Sequence, residues 1–303
     1  MNLSRIAGHV AGLGLGLGLT AAASVAHAQA LDGTLKKVAE TKTITLGTRD
    51  SSIGFSYLDG AQKPVGYSID VCYKIVDAIK TQLKIPDLKV ETVGVTSQNR
   101  IPLVQGGTVD MECGSTTNTF DRAKQVAFSP DIFRYSVRMV VRADSGIKTF
   151  ADLKDKTVVT TSGTTSDALI KINVRTSAIS IKSAYGKDHG DSFLQVESGR
   201  AAAFVMDDIL LAGLVANAKN PADFAVVGEP LKTENYAIMF RRDDPQMKAI
   251  IDKTVIGMFN SGEMEKLYTK WLLTPIPPRN ITINYPLSAE TRDAWKNPSD
   301  KGV

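Results

Sequence analysis

Two stretches of this chain share one order of parts, and that order limits the fold more than anything else in the sequence. RIPLVQGGTVDMECGS (100–115) and SFLQVESGRAAAFVMDD (192–208) each read as an apolar helix, a glycine stop, then a buried strand ending in polar groups. Glycine just past a last turn is the usual helix C-cap. Around the first lie strand-like TITLGT (43–48) and LKVETVGV (88–95). Between 43 and 48 and the second strand, GYSIDVCYKIVDAIKTQL (66–83) sets Ile69, Cys72, Tyr73, Val76, Ile79 and Leu83 at helical spacing. Around the second lie KTVVTT (156–161) and FAVVGEP (224–230). Strands alternating with helices predict parallel βα units in an α/β fold. Two such sets predict two lobes, with strand ends and helix starts facing a common cleft. YAIMFRR (236–242) is expected to recross to the first lobe. The chain then passes between lobes near 141 and 234 as a two-strand hinge, with 29–141 plus 235–303 forming one lobe and 142–234 the other.

The first 28 residues stand apart. A short basic start, a small apolar stretch and an AHA motif before Gln29 predict a secretory signal cleaved near Ala28. The exported chain then keeps one histidine, His189, since His9 and His27 leave with the signal. Its cysteines, Cys72 and Cys113, either pair in an oxidising compartment or pack as two small apolar side chains. Two cysteines and one histidine do not make a metal-ligand spacing. A formal charge of +4 over 303 residues, with no basic run, is too small and too dispersed to argue for a nucleic-acid or lipid surface. No nucleophile motif or phosphate loop is present outside the signal segment, whose GLGLGLG imitates one.

Four places carry chemistry. Arg100 falls near a helix N-terminus, with Thr96 or Ser97 as cap and Pro102 in the first turn. A cation there meets the positive end of the helix dipole, so an anionic partner is expected; the alternative is a surface ion pair. Thr164 and Thr165 lie in SGTTS, a glycine turn before a helix that is either an anion site or a plain cap. Asp207 ends an apolar strand, where it either meets a cation or, like Asp208, caps the next helix. Arg49 follows the first strand, at the end where parallel sheets place ligand contacts.

The ordered set GTRDSS (47–52), GYSID (66–70), TSQNRIPLVQGG (96–107), ECGSTTN (112–118), TSGTTS (161–166), KDHGDSF (187–193), ESGRAAAFVMDD (197–208) and TPIPP (274–278) resembles the periplasmic amino-acid-binding proteins of ABC transporters, solute-binding protein family 3. The likeness is to their glutamate/aspartate branch and spans nearly the whole exported chain. It implies a type II two-lobed clamshell that closes on L-glutamate or L-aspartate and delivers it to a membrane permease. It also implies a periplasmic monomer, no cofactor and no catalysis. By the same resemblance Arg100 holds the α-carboxylate, with hydroxyls from Thr117, Thr164 and Thr165. Asp207 and Ser115 share the α-ammonium. Arg49, His189 and Ser97 surround the distal carboxylate. A dicarboxylic amino acid stripped of water needs a fixed partner for each charge, and this set supplies them.

The main rival is an enzyme on the same architecture, with Asp207 or His189 as acid or base. A sensory module is the second. A cationic His189 would make affinity weaken as pH climbs through its free-state pKa.

Overall fold

The computed structural model describes residues 30–176 and 179–303. The expected signal segment lies outside the described residues. Helix α1 (Gly33–Thr41) leads into β1 (Thr43–Thr48), followed by a small antiparallel sheet of β2 (Ser51–Ser52), β3 (Ser56–Leu58) and β4 (Pro64–Val65). Then come α2 (Tyr67–Leu83), β5 (Lys89–Gly94), α3 (Arg100–Gln105), β6 (Met111–Glu112), α4 (Phe120–Ala123) and β7 (Val126–Phe128). The second half runs β8 (Phe133–Arg142), β9 (Thr157–Thr161), α5 (Thr165–Thr176), β10 (Lys182–Gly186), α6 (His189–Glu197), β11 (Ala203–Asp207), α7 (Asp208–Asn217) and β12 (Phe224–Tyr236). The chain finishes with β13 (Met239–Arg241), α8 (Pro245–Ser261), α9 (Glu263–Tyr268) and α10 (Ala289–Lys296).

These strands build two five-stranded sheets, ordered β5-β1-β6-β13-β7 and β10-β9-β11-β8-β12. In the first, β5 and β6 run parallel to β1; in the second, β10 and β11 run parallel to β9. Strands β8, β12 and β13 add antiparallel pairings. The two lobes expected from the repeated pattern are therefore present, and β13 returns to the first sheet as YAIMFRR predicts.

One boundary differs. Strand β8 was expected with the first lobe, yet it is bonded in the second sheet, between β11 and β12. The first passage between sheets thus falls after β7 rather than near 141. Alternating β-formers announce a strand; which sheet takes it depends on distant partners. β8 and β12 pair from Phe133↔Tyr236 to Arg142↔Phe224. Their crossing end sits on the first lobe's aromatic core: Phe133 stacks on Tyr236 at 6.0 Å and on Tyr268 at 5.7 Å, and meets Phe55 edge-on at 4.9 Å. Such pairs each add about 0.5–1.5 kcal/mol beyond area burial.

Helix α2 lays Ile69, Cys72, Val76 and Ile79 on the core as its spacing requires, joined by Tyr67, Val71 and Ile75. Tyr73, expected on that face, is 41% exposed, and Leu83 is only partly buried. Cys72 of α2 and Cys113 beyond β6 form a disulfide, with Cα atoms 6.1 Å apart. The paired alternative is the one the structure takes. Asp244 caps α8 by accepting from Met247 N at 3.3 Å, with Pro245 in the first turn.

Candidate functional site

Every candidate residue sits at or beyond the C-terminal end of a parallel strand. Arg49 follows β1; Ser97 and Arg100 follow β5; Ser115 and Thr117 follow β6. From the other lobe, Thr164 and Thr165 follow β9, His189 follows β10, and Asp207 is the last residue of β11. That is where α/β sheets leave backbone groups and side chains free of the ladder. The lobes meet over these ends: Arg49 reaches His189 at 3.4 Å, Ser51 Oγ donates to Asp188 Oδ1 at 3.4 Å, and Arg122 Nη2 donates to Gly163 O at 3.2 Å.

Both arginines are deeply enclosed, Arg49 at 1% and Arg100 at 2% exposure. Arg49 Nη2 donates to Ser97 Oγ at 3.1 Å, while its Nη1 has no acceptor. Burial, then the nearby Arg100 charge, lowers the Arg49 pKa to about 10, where it is still a cation at neutral pH. Arg100 opens α3, as expected of a cation placed to meet an anion. Its Nη1 donates to Ser115 O at 3.3 Å and its Nε has no acceptor. The cap differs from expectation: the residue before the helix is Asn99, locked to Thr96 by Thr96 N to Asn99 Oδ1 at 2.7 Å and Asn99 N to Thr96 Oγ1 at 3.2 Å. Ser97 is thereby free to serve Arg49. A buried charged donor without an acceptor costs roughly 1–3 kcal/mol or more, so these two N–H groups call for an anion.

His189 is buried between Arg49 and Thr161, whose Oγ1 lies 3.1 Å from its Nδ1. Arginine only donates, so Nε2 accepts and Nδ1 carries the proton. The chain continues from Thr161 Oγ1 to Ser192 Oγ at 2.8 Å and on to Asp188 O at 2.9 Å. Burial first, then the charges of Arg49 and Arg100, push the His189 pKa well below 6.5. In the ligand-free protein His189 is therefore neutral, accepting from Arg49 and orienting it.

Asp207 accepts from Ser166 Oγ at 3.2 Å and from Tyr236 OH. It does not cap α7. Burial outweighs these donors and raises its pKa to about 7, so a cation arriving beside it would be strongly favoured. Asp208 instead accepts from Ser136 N at 3.2 Å. Ser115 Oγ lies 3.1 Å from Ser52 Oγ.

The three threonines are brought in, but their hydroxyl hydrogens are committed. Thr164 Oγ1 donates to Thr161 O at 2.7 Å, and Thr165 Oγ1 to Glu234 Oε2 at 2.6 Å. Tyr135 OH donates to the same Glu234 oxygen at 2.9 Å, which leaves Thr117 Oγ1 to donate to Tyr135 at 2.7 Å. What remains for an anion at SGTTS is backbone: the first N–H groups of α5 have no acceptor inside the helix.

Sequence reasoning missed Tyr236, Ser166, Glu234 and Glu112. Ser166 could have been found, being the last residue of a quoted motif. Tyr236 and Glu234 lie on the returning strand β12, and nothing local marks them. Glu112 ends β6 with its side chain fully buried. Among the described residues no three metal-ligating side chains cluster, and no helix is long and apolar enough to cross a membrane.

Fold and site together define a two-lobed solute receptor, with its binding groups on the strand ends of both lobes. The chain belongs to the bacterial extracellular solute-binding proteins, family 3, whose profile matches residues 44–274. It is a solute-binding protein, not an enzyme. It is 49% identical over 276 residues to the glutamate/aspartate import solute-binding protein of Escherichia coli K12, covering 91% of each chain. It is 50% identical over 277 residues to the L-glutamate/L-aspartate-binding protein of Pseudomonas aeruginosa, covering 91% of this chain and 92% of that one. A cysteine-binding protein from Campylobacter jejuni has the same fold, with TM-score 0.70 at 26% identity over 80% of this chain and 93% of that structure.

Proposed function

We propose that this protein captures L-glutamate or L-aspartate between its lobes and hands it to the membrane permease of an importer. The observation that carries the reading is the pair of buried guanidinium groups, each with an N–H lacking an acceptor, in one cleft with a buried carboxylate. In this reading Arg100 and the first N–H groups of α5 grip the α-carboxylate. Thr117, Thr164 and Thr165 shape that end and hold it in place. Asp207, with Ser115, takes the α-ammonium. Arg49, held by Ser97 and His189, takes the distal carboxylate. Names of relatives nearly 50% identical over most of the chain support the ligand class.

Export after cleavage near Ala28, residence in the periplasm and action as a monomer complete the proposal. So does opening of the lobes about the crossing ends of β8 and β12, with the second lobe running from β8 to β12. Calorimetry on two variants tests the assignment. Arg49→Ala should weaken glutamate and aspartate by a hundredfold or more, about 3 kcal/mol for a buried charge pair, while glutamine changes little. Arg100→Ala should weaken all three. Equal losses from Arg49→Ala across acidic and neutral ligands would overturn it.

A further inference from the structure

The two arginines share their cleft with a third buried charge that no ligand role uses. Glu112 is fully enclosed; its Oε2 accepts from Thr116 Oγ1 at 2.5 Å, and its Oε1 has no hydrogen-bond partner. Oε1 lies 4.0 Å from Arg100 Nη1. The same carboxylate acts on Arg49, raising its pKa against the opposing Arg100. Gly114 keeps the space open: a Cβ there would lie 2.2 Å from Glu112 Oε1 and 2.8 Å from Arg49 Cγ. Glu112 thus touches the surroundings of both guanidinium groups from one point.

We propose that Glu112 is the resident counter-ion of the cleft, holding Arg49 and Arg100 together before a guest arrives and opposing an acidic guest once it does. The inference rests on the acidic-ligand reading above. Two like charges in a low-dielectric slot repel, and a carboxylate between them offsets that repulsion. A dicarboxylic amino acid then brings two carboxylates to the same guanidinium groups. Glu112 becomes a third negative charge beside them, with only the ammonium and Asp207 cancelling each other. The residue therefore exchanges ligand affinity for stability of the ligand-free protein.

Glu112→Gln keeps the shape and can still accept from Thr116. Its ligand-free Tm should fall by about 5 °C, while its affinity for glutamate and aspartate rises about tenfold and that for glutamine rises less. A merely structural residue would lower Tm and affinity together, and that result overturns the proposal, as does no change in either. The double variant Glu112→Gln/Arg49→Gln removes one charge of each sign and should recover most of the lost Tm without ligand; a Tm as low as or lower than that of the single variant also overturns it. Where the single variant accumulates too poorly to melt, the double variant is read against the wild type, and a Tm well below the wild-type value overturns the proposal. Absence of acidic-ligand binding in the wild-type protein would instead overturn the ligand reading, and the Tm comparison would still judge the counter-ion.

Discussion

In the proposed reading, Asp207 is the residue whose protonation couples most directly to binding. There, its ligand-free pKa of about 7 means that near neutrality a proton competes with the ligand's ammonium. Binding lowers that pKa and releases the proton. Affinity is then full above about pH 7 and is lost as pH falls from there towards the ligand-bound pKa. A cationic His189 would have produced the opposite slope, with affinity rising on acidification. Burial and two arginines hold His189 neutral, so its contribution is to orient Arg49. Calorimetry from pH 5 to 9 in buffers of different ionisation enthalpy should show affinity falling on acidification and proton release below pH 7. The charged groups in the site were legible because each is a charge at the end of an apolar strand or the start of a helix. Glu112 escaped notice although it lies in a quoted motif, because nothing in the sequence tells a buried glutamate from an exposed one; its enclosure shows in the packing over Gly114.

At the scale of elements, two fastenings carry the site. The Cys72–Cys113 bond ties α2 to the loop after β6, which bears Ser115 and Thr117, across a sequence separation of 41. Closing a loop of that size contributes about 4 kcal/mol in the chain-entropy view. Replacing both cysteines by serine should lower Tm by about 10 °C, measured by calorimetry on the ligand-free protein, with ligand selectivity retained. The second fastening is the turn at Gly163, which takes Arg122 from α4 and packs on Gln98. Gly163 has φ +79°, and a Cβ would sit 2.9 Å from Gln98 Cγ and 3.0 Å from its backbone N. Gly163→Ala should therefore weaken glutamate and aspartate by the same factor, because it obstructs lobe contact rather than any ligand group. The strands and helices themselves were readable from periodicity and glycine stops. The destination of β8 was not, since its choice of sheet rests on β11 and β12, far along the chain. Tyr73 shows the same limit: helical spacing sets a face, and neighbouring helices decide how much of it is covered.

For the whole molecule, the two α/β halves bring opposite parts of one charge pattern to the cleft. The first lobe supplies Arg49 and Arg100; the second supplies Asp207, the α5 N-terminus and the histidine that steadies Arg49. Neither half alone can match a dicarboxylic amino acid, so capture and closure are one event in this account. Charge matching drives both in this reading. The most direct measurement is a calorimetric titration of the ligand-free protein with glutamate, aspartate, glutamine, asparagine and arginine at one pH. Glutamate and aspartate should bind at least a hundredfold more tightly than their amides, with arginine weaker still. Preference for an amide or for arginine over both acids would contradict it.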